Sequence, residues 1–287
     1  MNIPGRAGIR LSATSVQFAT TNSPAAYQRV SAAITMGRVH TILIRKSSRR
    51  GGISKSFISK ATKPIISKMM PSDNIKPLDS IYIYHITHID NLDSIVESGG
   101  LFSQNRLVSP QKPIPIGMEE VKHRRTTRPV DCYPGTFVAD YVPFYFCPRS
   151  VMLYILYKGN HPGIDYRGGQ EPIIHLRAPL LRVAEWAENT GHKWCFTLAN
   201  AAAGYTEFKN SLADVQEINW RAVDSMDFQD ENIKEGKQAE FLVYEFFDIS
   251  SFDEVGVFSA AFADRVEQSF QGLRKWPLVN VHKEWYY

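Results

Sequence analysis

From about residue 75 onward, short apolar runs rich in β-branched and aromatic residues alternate with polar turn segments, a pattern that predicts short strands and helices. Ile81-Tyr82-Ile83-Tyr84-His85-Ile86 reads as a strand. It leads into Asp90-Asn91, a predicted N-cap, then Leu92, Ile95 and Val96 at helical spacing, with Gly99-Gly100 as the stop. Residues 142–146 read as a strand, Ser150 caps a short apolar helix through Tyr157, and residues 172–176 resume strand. Five prolines within residues 110–134 predict a long loop, and the polar stretch 199–237 an irregular arm with short helices. The most strand-like run is 239–247. Another strand is expected at 254–258, a helix at 260–275 with Phe262, Val266, Phe270 and Leu273 on one face, and a closing strand at 277–282. Strands and helices mix without regular βαβ alternation, which predicts the α+β class.

With 287 residues and 44% apolar content, the chain can bury a substantial core. Its longest apolar stretches, such as 151–157, span about seven residues where a membrane helix needs roughly 20, so the expectation is a soluble, cytoplasmic protein. Cys132, Cys147 and Cys195 show no C-x-x-C spacing, which argues against a disulfide framework and a cysteine zinc site and for a reducing compartment. Charge divides the chain unevenly: residues 1–74 hold 12 Lys/Arg and one acid, leaving 21 basic against 28 acidic residues in 75–287. The first segment is therefore expected to be a mobile basic extension and 75–287 the functional domain. Three readings fit the extension: a transit peptide, a nucleic-acid-binding tail, or a stretch upstream of a start at Met69-Met70.

No P-loop, G-x-G-x-x-G or G-x-S-x-G motif occurs. His85 and His88 have metal-ligand spacing, but residues three apart on a strand face opposite ways and no third ligand is near, so no metal is expected. Glu240 is unusual. In Gln238-Ala239-Glu240-Phe241-Leu242-Val243-Tyr244 it is followed only by apolar and aromatic neighbours. It reads either as an acid facing solvent from an edge strand, or as a rigidly held carboxylate that grips a sugar hydroxyl beside an oxocarbenium-like carbon. The cluster Lys122, Arg124, Arg125 and Arg128 reads either as a solvated loop or as a phosphate-binding one. Tyr133, Tyr141, Phe144 and Tyr145 flank it and could stack on single-stranded bases or fill the core.

Five stretches, in order, resemble the DarT family, toxins of toxin–antitoxin pairs that use NAD+ to ADP-ribosylate a base in single-stranded DNA. They are Ile83-Tyr84-His85-Ile86-Thr87-His88-Ile89-Asp90-Asn91-Leu92, Asp140-Tyr141-Val142-Pro143-Phe144-Tyr145-Phe146-Cys147-Pro148-Arg149-Ser150, Gly168-Gly169-Gln170-Glu171-Pro172-Ile173, Lys237-Gln238-Ala239-Glu240-Phe241-Leu242-Val243-Tyr244 and Lys283-Glu284-Trp285-Tyr286-Tyr287. Residues 1–70 have no counterpart in the resemblance.

The resemblance implies an ADP-ribosyltransferase-like mixed, split β-sheet core with short flanking helices and NAD+ in the cleft as co-substrate. His85, Ile86 and Thr87 would hold the nicotinamide, with Ser94 and Phe102 lining the same pocket. Glu240 would bind the ribose hydroxyl beside the breaking bond, and Arg125 matches the family's functional arginine. A guanidinium stays protonated at working pH, so Arg125 is assigned an electrostatic role toward pyrophosphate and base rather than that of a proton acceptor. Lys122, Arg124, Arg128, Arg149 and Asn200 would contact DNA, and residues 200–240 would form the acceptor-gripping arm. Asn200 stands where the family pattern has His, which leaves thymine or guanine open as the modified base. A macrodomain antitoxin of the DarG type would be the partner. A transferase acting on protein or RNA, and a non-catalytic NAD+ or nucleic-acid binding module, are the other function classes.

Overall fold

The computed structural model describes residues 75–107 and 113–287; the expectations for the basic extension and Met69-Met70 lie outside the described residues. Ten strands and seven α-helices follow among them. The strands are β1 (Tyr82–His88), β2 (Gly100–Phe102), β3 (Tyr141–Tyr145), β4 (Ile173–Pro179), β5 (Trp194–Thr197), β6 (Phe208–Lys209), β7 (Glu240–Tyr244), β8 (Phe246–Asp248), β9 (Glu254–Val257) and β10 (Leu278–Val281). The helices are α1 (Leu92–Glu97), α2 (Glu119–Thr127), α3 (Val151–Lys158), α4 (Leu180–Thr190), α5 (Trp220–Asp224), α6 (Glu231–Gly236) and α7 (Ala260–Ser269). Eight strands form one sheet in the order β10-β9-β4-β1-β3-β7-β5-β6, and β2 pairs with β8 in a separate ribbon. All pairings are antiparallel except β9 with β10.

The large sheet is nearly two sheets. Within one half β1 pairs with β4 along its whole length, and within the other β3 does the same with β7. Between the halves, β1 and β3 meet only where Tyr84 faces Tyr145, and they diverge toward the end of β1 and the start of β3. Backbone groups at a splayed junction need other partners. The ring of His85 supplies one, its Nδ1 lying 2.9 Å from the carbonyl oxygen of Pro143.

The core sits on both faces of this sheet. Ile83, Leu176, Phe144, Phe241 and Phe247 share one buried cluster with the apolar face of α4, while Tyr84, Ile86 and Ile173 share another with α3 and Trp285. Ser150 caps α3 as expected, its hydroxyl accepting from Leu153 N–H at 3.1 Å. No helix among the described residues is long and apolar enough to cross a membrane, and all three cysteines are free thiols.

Four elements differ from the sequence expectation. Residues 119–127 form a helix inside the expected loop. Helix α2 is almost wholly polar and carries no apolar stripe, so periodicity gives no signal. It is held instead by Glu119–Lys122 and Glu120–Arg124 pairs at 2.7 and 2.9 Å, with acids in its first turn and arginines in its last. The run 239–247 is two strands, because Glu245 adopts a left-handed backbone conformation (φ 60°) that ends β7 and sends β8 to the ribbon. Helix α7 stops at Ser269, short of residue 275, in a stretch that turns through Gly272 at φ 90°. Asn91 stands at the N-cap position of α1 as expected but makes no capping bond there, and the turn ahead of it is capped by His88, whose Nδ1 accepts from Asp90 N–H.

Candidate active site

The wedge between the half-sheets opens into a cavity of about 1720 Å³, larger than the roughly 300–1,000 Å³ typical of a single small-molecule site. One wall comes from the end of β1 and from α1: His85, Ile86, Thr87, Ser94 and, at the end of β2, Phe102 line it. Asn91 organises this wall. Its Nδ2 donates to Thr87 Oγ1 (3.0 Å) and to Ile114 O (3.1 Å), while its Oδ1 accepts from Ile114 N–H (2.8 Å), pinning the segment ahead of α2 against the end of β1. Helix α2 brings Lys122, Arg124 and Arg125 to the cavity, and the arm brings Asn200.

Glu240 begins β7, directly opposite Tyr145 on β3. It is only 3% exposed and does not itself line the cavity, whereas Arg125, with which it is paired, does. Burying a carboxylate is costly unless its charge is compensated. Two groups do so: Arg125 Nη1 donates to Oε2 at 2.8 Å and Ala201 N–H donates to Oε1 at 3.0 Å. Its own N–H donates to Thr197 Oγ1 (3.1 Å), and that hydroxyl donates to Ala199 O (2.6 Å), so β5, the arm and β7 are locked together where the acid sits. Arg125 is also buried, and its Nη2 has no hydrogen-bond partner among the described residues.

The neighbouring titratable groups are held neutral. Burial pulls His85 down to about 4; the Pro143 carbonyl works against this and the Arg125 charge adds to it. Because that carbonyl only accepts, Nδ1 carries the proton and Nε2 keeps its lone pair. Burial and the Glu240 charge push Tyr145 well above its ordinary value, so its phenol remains a donor. The site thus combines one carboxylate, one guanidinium with an unspent donor, a neutral imidazole and a neutral phenol, a set suited to stabilising positive charge on a sugar and negative charge on a pyrophosphate. Among the described residues no group of three or more His, Cys, Asp or Glu gathers as a metal site, and His85 and His88 are engaged separately.

Not every expected residue faces the cavity. Glu240, Arg128 and Arg149 do not line it. Arg128 donates to Thr206 O at 2.9 Å and lies over the Phe208 ring, bracing the arm, whereas Arg149 lies over the Tyr287 ring with its centre 4.4 Å from the centroid. Sequence reasoning also missed partners. The sequence offers Tyr145 as a base-stacking or core aromatic and gives no sign of its place opposite Glu240, because that strand pairing joins residues far apart in sequence. The Ala201 N–H and the Thr197 hydroxyl carry no composition or spacing signal.

The geometry agrees with relatives found by comparison. A family model described as ssDNA thymidine ADP-ribosyltransferase, DarT, matches residues 84–287. A DNA ADP-ribosyl transferase of Thermus sp. (strain 2.9) is 37% identical over 209 residues, covering 71% of this chain and 95% of that protein. One from Escherichia coli O127:H6 is 32% identical over 209 residues, 71% of this chain and 93% of its own length. Among solved structures, Thermus sp. 2.9 DarT in complex with ADP-ribosylated ssDNA superposes with a TM-score of 0.66 at 35% identity, over 74% of this chain and 98% of that one. The same protein in complex with NAD+ gives a TM-score of 0.60 at 36% identity, covering 72% and 97%. On a family match that spans most of the chain and relatives above 30% identity, this protein belongs to the DarT family of single-stranded DNA ADP-ribosyltransferases.

Proposed function

We propose that the chain transfers ADP-ribose from NAD+ to thymine in single-stranded DNA and acts as a toxin that blocks replication. The bond between the ribose C1′ and the nicotinamide nitrogen breaks, its electron pair leaving with the neutral nicotinamide. A thymine nitrogen then bonds to C1′ and releases its proton to solvent water. The buried pair of Glu240 and Arg125 beneath the wedge is the observation that carries this reading, because it sets a fixed negative charge beside the place where a ribosyl cation would develop. Two lone-pair positions of the carboxylate are used by Arg125 and Ala201, which leaves capacity to accept a ribose hydroxyl.

Arg125 contributes through its second nitrogen, a buried donor with charge to offer a phosphate or the carbonyl edge of a base losing its proton. His85, Ile86, Thr87, Ser94 and Phe102 hold the nicotinamide end. Lys122, Arg124 and Asn200 meet the DNA. Guanine in place of thymine remains the competing acceptor, since Asn200 offers both a donor and an acceptor to a base edge. A cytoplasmic setting and a macrodomain antitoxin that removes the modification complete the proposal. Incubation with NAD+ and short oligonucleotides, followed by mass spectrometry, tests it: an ADP-ribose adduct on thymine supports it, while label on protein or RNA alone, or no nicotinamide release, overturns it.

A further inference from the structure

The arm side of the cavity carries chemistry that the transfer machinery leaves unused. Tyr154 of α3, Phe228 between α5 and α6, and the C-terminal Tyr287 all line it, and together they make an aromatic cup. Phe228 and Tyr287 stand edge-on to Tyr154, with centroids 5.1 and 5.0 Å away at interplanar angles of 88° and 69°. Phe228 and Tyr287 are 6.1 Å from each other.

The cup is braced from behind. Tyr287 is fixed at three points: its N–H donates to Gln170 Oε1 at 2.9 Å and its hydroxyl donates to Arg149 O at 2.8 Å, while the Arg149 guanidinium covers its ring. Arg149 forms no ion pair among the described residues. Its Nη1 meets only the sulfur of Met226, and its Nε is buried without a partner. Lys158 adds a second cation, 5.3 Å from the Tyr154 centroid. Rings held rigid along a cavity too large for one small ligand, with the Arg149 and Lys158 cations packed over Tyr287 and Tyr154 outside the cavity lining, match what single-stranded nucleic acid uses: a π-face on which a base can stack.

We propose that this cup is the subsite for a base next to the modified one, so that Tyr154, Phe228 and Tyr287 position the target by stacking its neighbour. The inference rests on the transfer reading above and adds the residues that grip the flanking nucleotide. Every base offers a π-face, so the subsite is expected to be tolerant of base identity but not of base absence. The other planar group within reach is the adenine of NAD+. The flanking base is favoured because the arm, α3 and the C-terminus build the cup, whereas β1, α1 and β2 build the wall assigned to NAD+.

Abasic scanning of a single-thymine oligonucleotide tests this on the unaltered protein. At one flanking position an abasic residue is expected to lower kcat/KM for DNA roughly tenfold or more, chiefly through KM. Phe228→Leu keeps apolar bulk on an exposed stretch of the arm. It is expected to lose a similar factor on intact DNA and to be nearly indifferent to the abasic residue at that position. Three results overturn the proposal: no flanking position matters to the wild type, Phe228→Leu keeps the full abasic penalty, or its KM for NAD+ rises tenfold while its DNA profile is unchanged, which would assign the cup to adenine. Failure of the transfer reading looks different, since no oligonucleotide would then acquire an adduct at all.

Discussion

The two halves of the sheet each set an arginine against carboxylates, and the two arrangements differ in what they leave unused. In the β10-β9-β4-β1 half, Arg177 gives Nε and Nη2 to Asp253 (3.1 and 3.0 Å) and Nη1 to Glu254 (2.5 Å). Glu254 also accepts from Asn280 and meets His282 at 2.7 and 2.6 Å, and the Tyr82 ring packs on the guanidinium. Each of the three guanidinium nitrogens of Arg177 thus has a carboxylate partner within the protein. In the β3-β7-β5-β6 half, Arg125 spends Nη1 on Glu240, leaves Nη2 without a partner and borders the cavity. A charge pair alone therefore says little about function; an unspent donor beside a cavity distinguishes the cluster proposed to bind substrate from the one that ties strands together.

The largest expected effect comes from breaking the second cluster. Glu240→Gln keeps shape and one acceptor for Arg125 but removes the charge, and is expected to lower kcat for transfer by about 10³-fold, with NAD+ affinity within about tenfold of wild type. Nicotinamide release and calorimetric NAD+ titration read the two separately. Equal loss of binding and rate would mean that the acid holds the substrate rather than the transition state.

Glu254→Gln sharpens the contrast from the other side. It leaves Arg177 partly uncompensated and should cost about 3 kcal/mol, or roughly 10 °C of melting temperature, with transfer per folded molecule preserved. A transfer defect as large as that of Glu240→Gln would erase the distinction between the clusters.

Acid acts on the β10-β9-β4-β1 half through two kinds of group. His175, fully buried in the first half, is pulled down to about 4 by burial, with the Pro148 carbonyl opposing and His282 adding to the effect. A histidine whose value is lower folded than unfolded favours the folded state above about pH 6.5 and loses that contribution as pH falls toward 4. His85, held at about the same value, loses its contribution over the same window, so urea unfolding at pH 7 and pH 4.5 is expected to show a loss of about 2 kcal/mol from each of the two histidines, the His175 share disappearing in His175→Gln. Glu254 acts in a lower window. Burial alone would raise its value, but hydrogen bonds from His282 and Asn280 and the Arg177 charge outweigh it and lower it, so its contribution fades only below the ordinary carboxylate range.

The smallest expected effect is at the cavity rim. Lys122 and Arg124 are paired with Glu119 and Glu120, so Lys122→Ala should weaken oligonucleotide binding only about twofold and flatten its salt dependence slightly. Titrations at two salt concentrations check this.

Much of this was legible from residues with strong local signals. The β1 run, the Ser150 cap and the glutamate embedded in Gln238-Ala239-Glu240-Phe241-Leu242-Val243-Tyr244 all carry their meaning in a few consecutive positions. What was hidden needed the third dimension. Helix α2 has no apolar period to betray it, so its arginines read as a loop. The Glu245 break between β7 and β8 rests on one backbone angle at a residue type that rarely adopts it. The apolar positions Leu180, Val183, Ala184 and Ala187 of α4 did carry a helical period that could have been read. Arg128 and Arg149 show the limit of charge as a guide: both lie in sequence beside cavity residues, yet their side chains brace the arm and the C-terminus.

The central claim is that the Glu240–Arg125 pair drives transfer of ADP-ribose onto thymine. Its most direct test is mass spectrometry of a short single-thymine oligonucleotide after incubation with NAD+ and either the wild-type chain or Glu240→Gln, with free nicotinamide quantified alongside. The expected result is one ADP-ribose adduct on thymine, matched one-to-one by nicotinamide with the wild type and reduced about 10³-fold with the variant. An adduct formed at the wild-type rate by Glu240→Gln would contradict it.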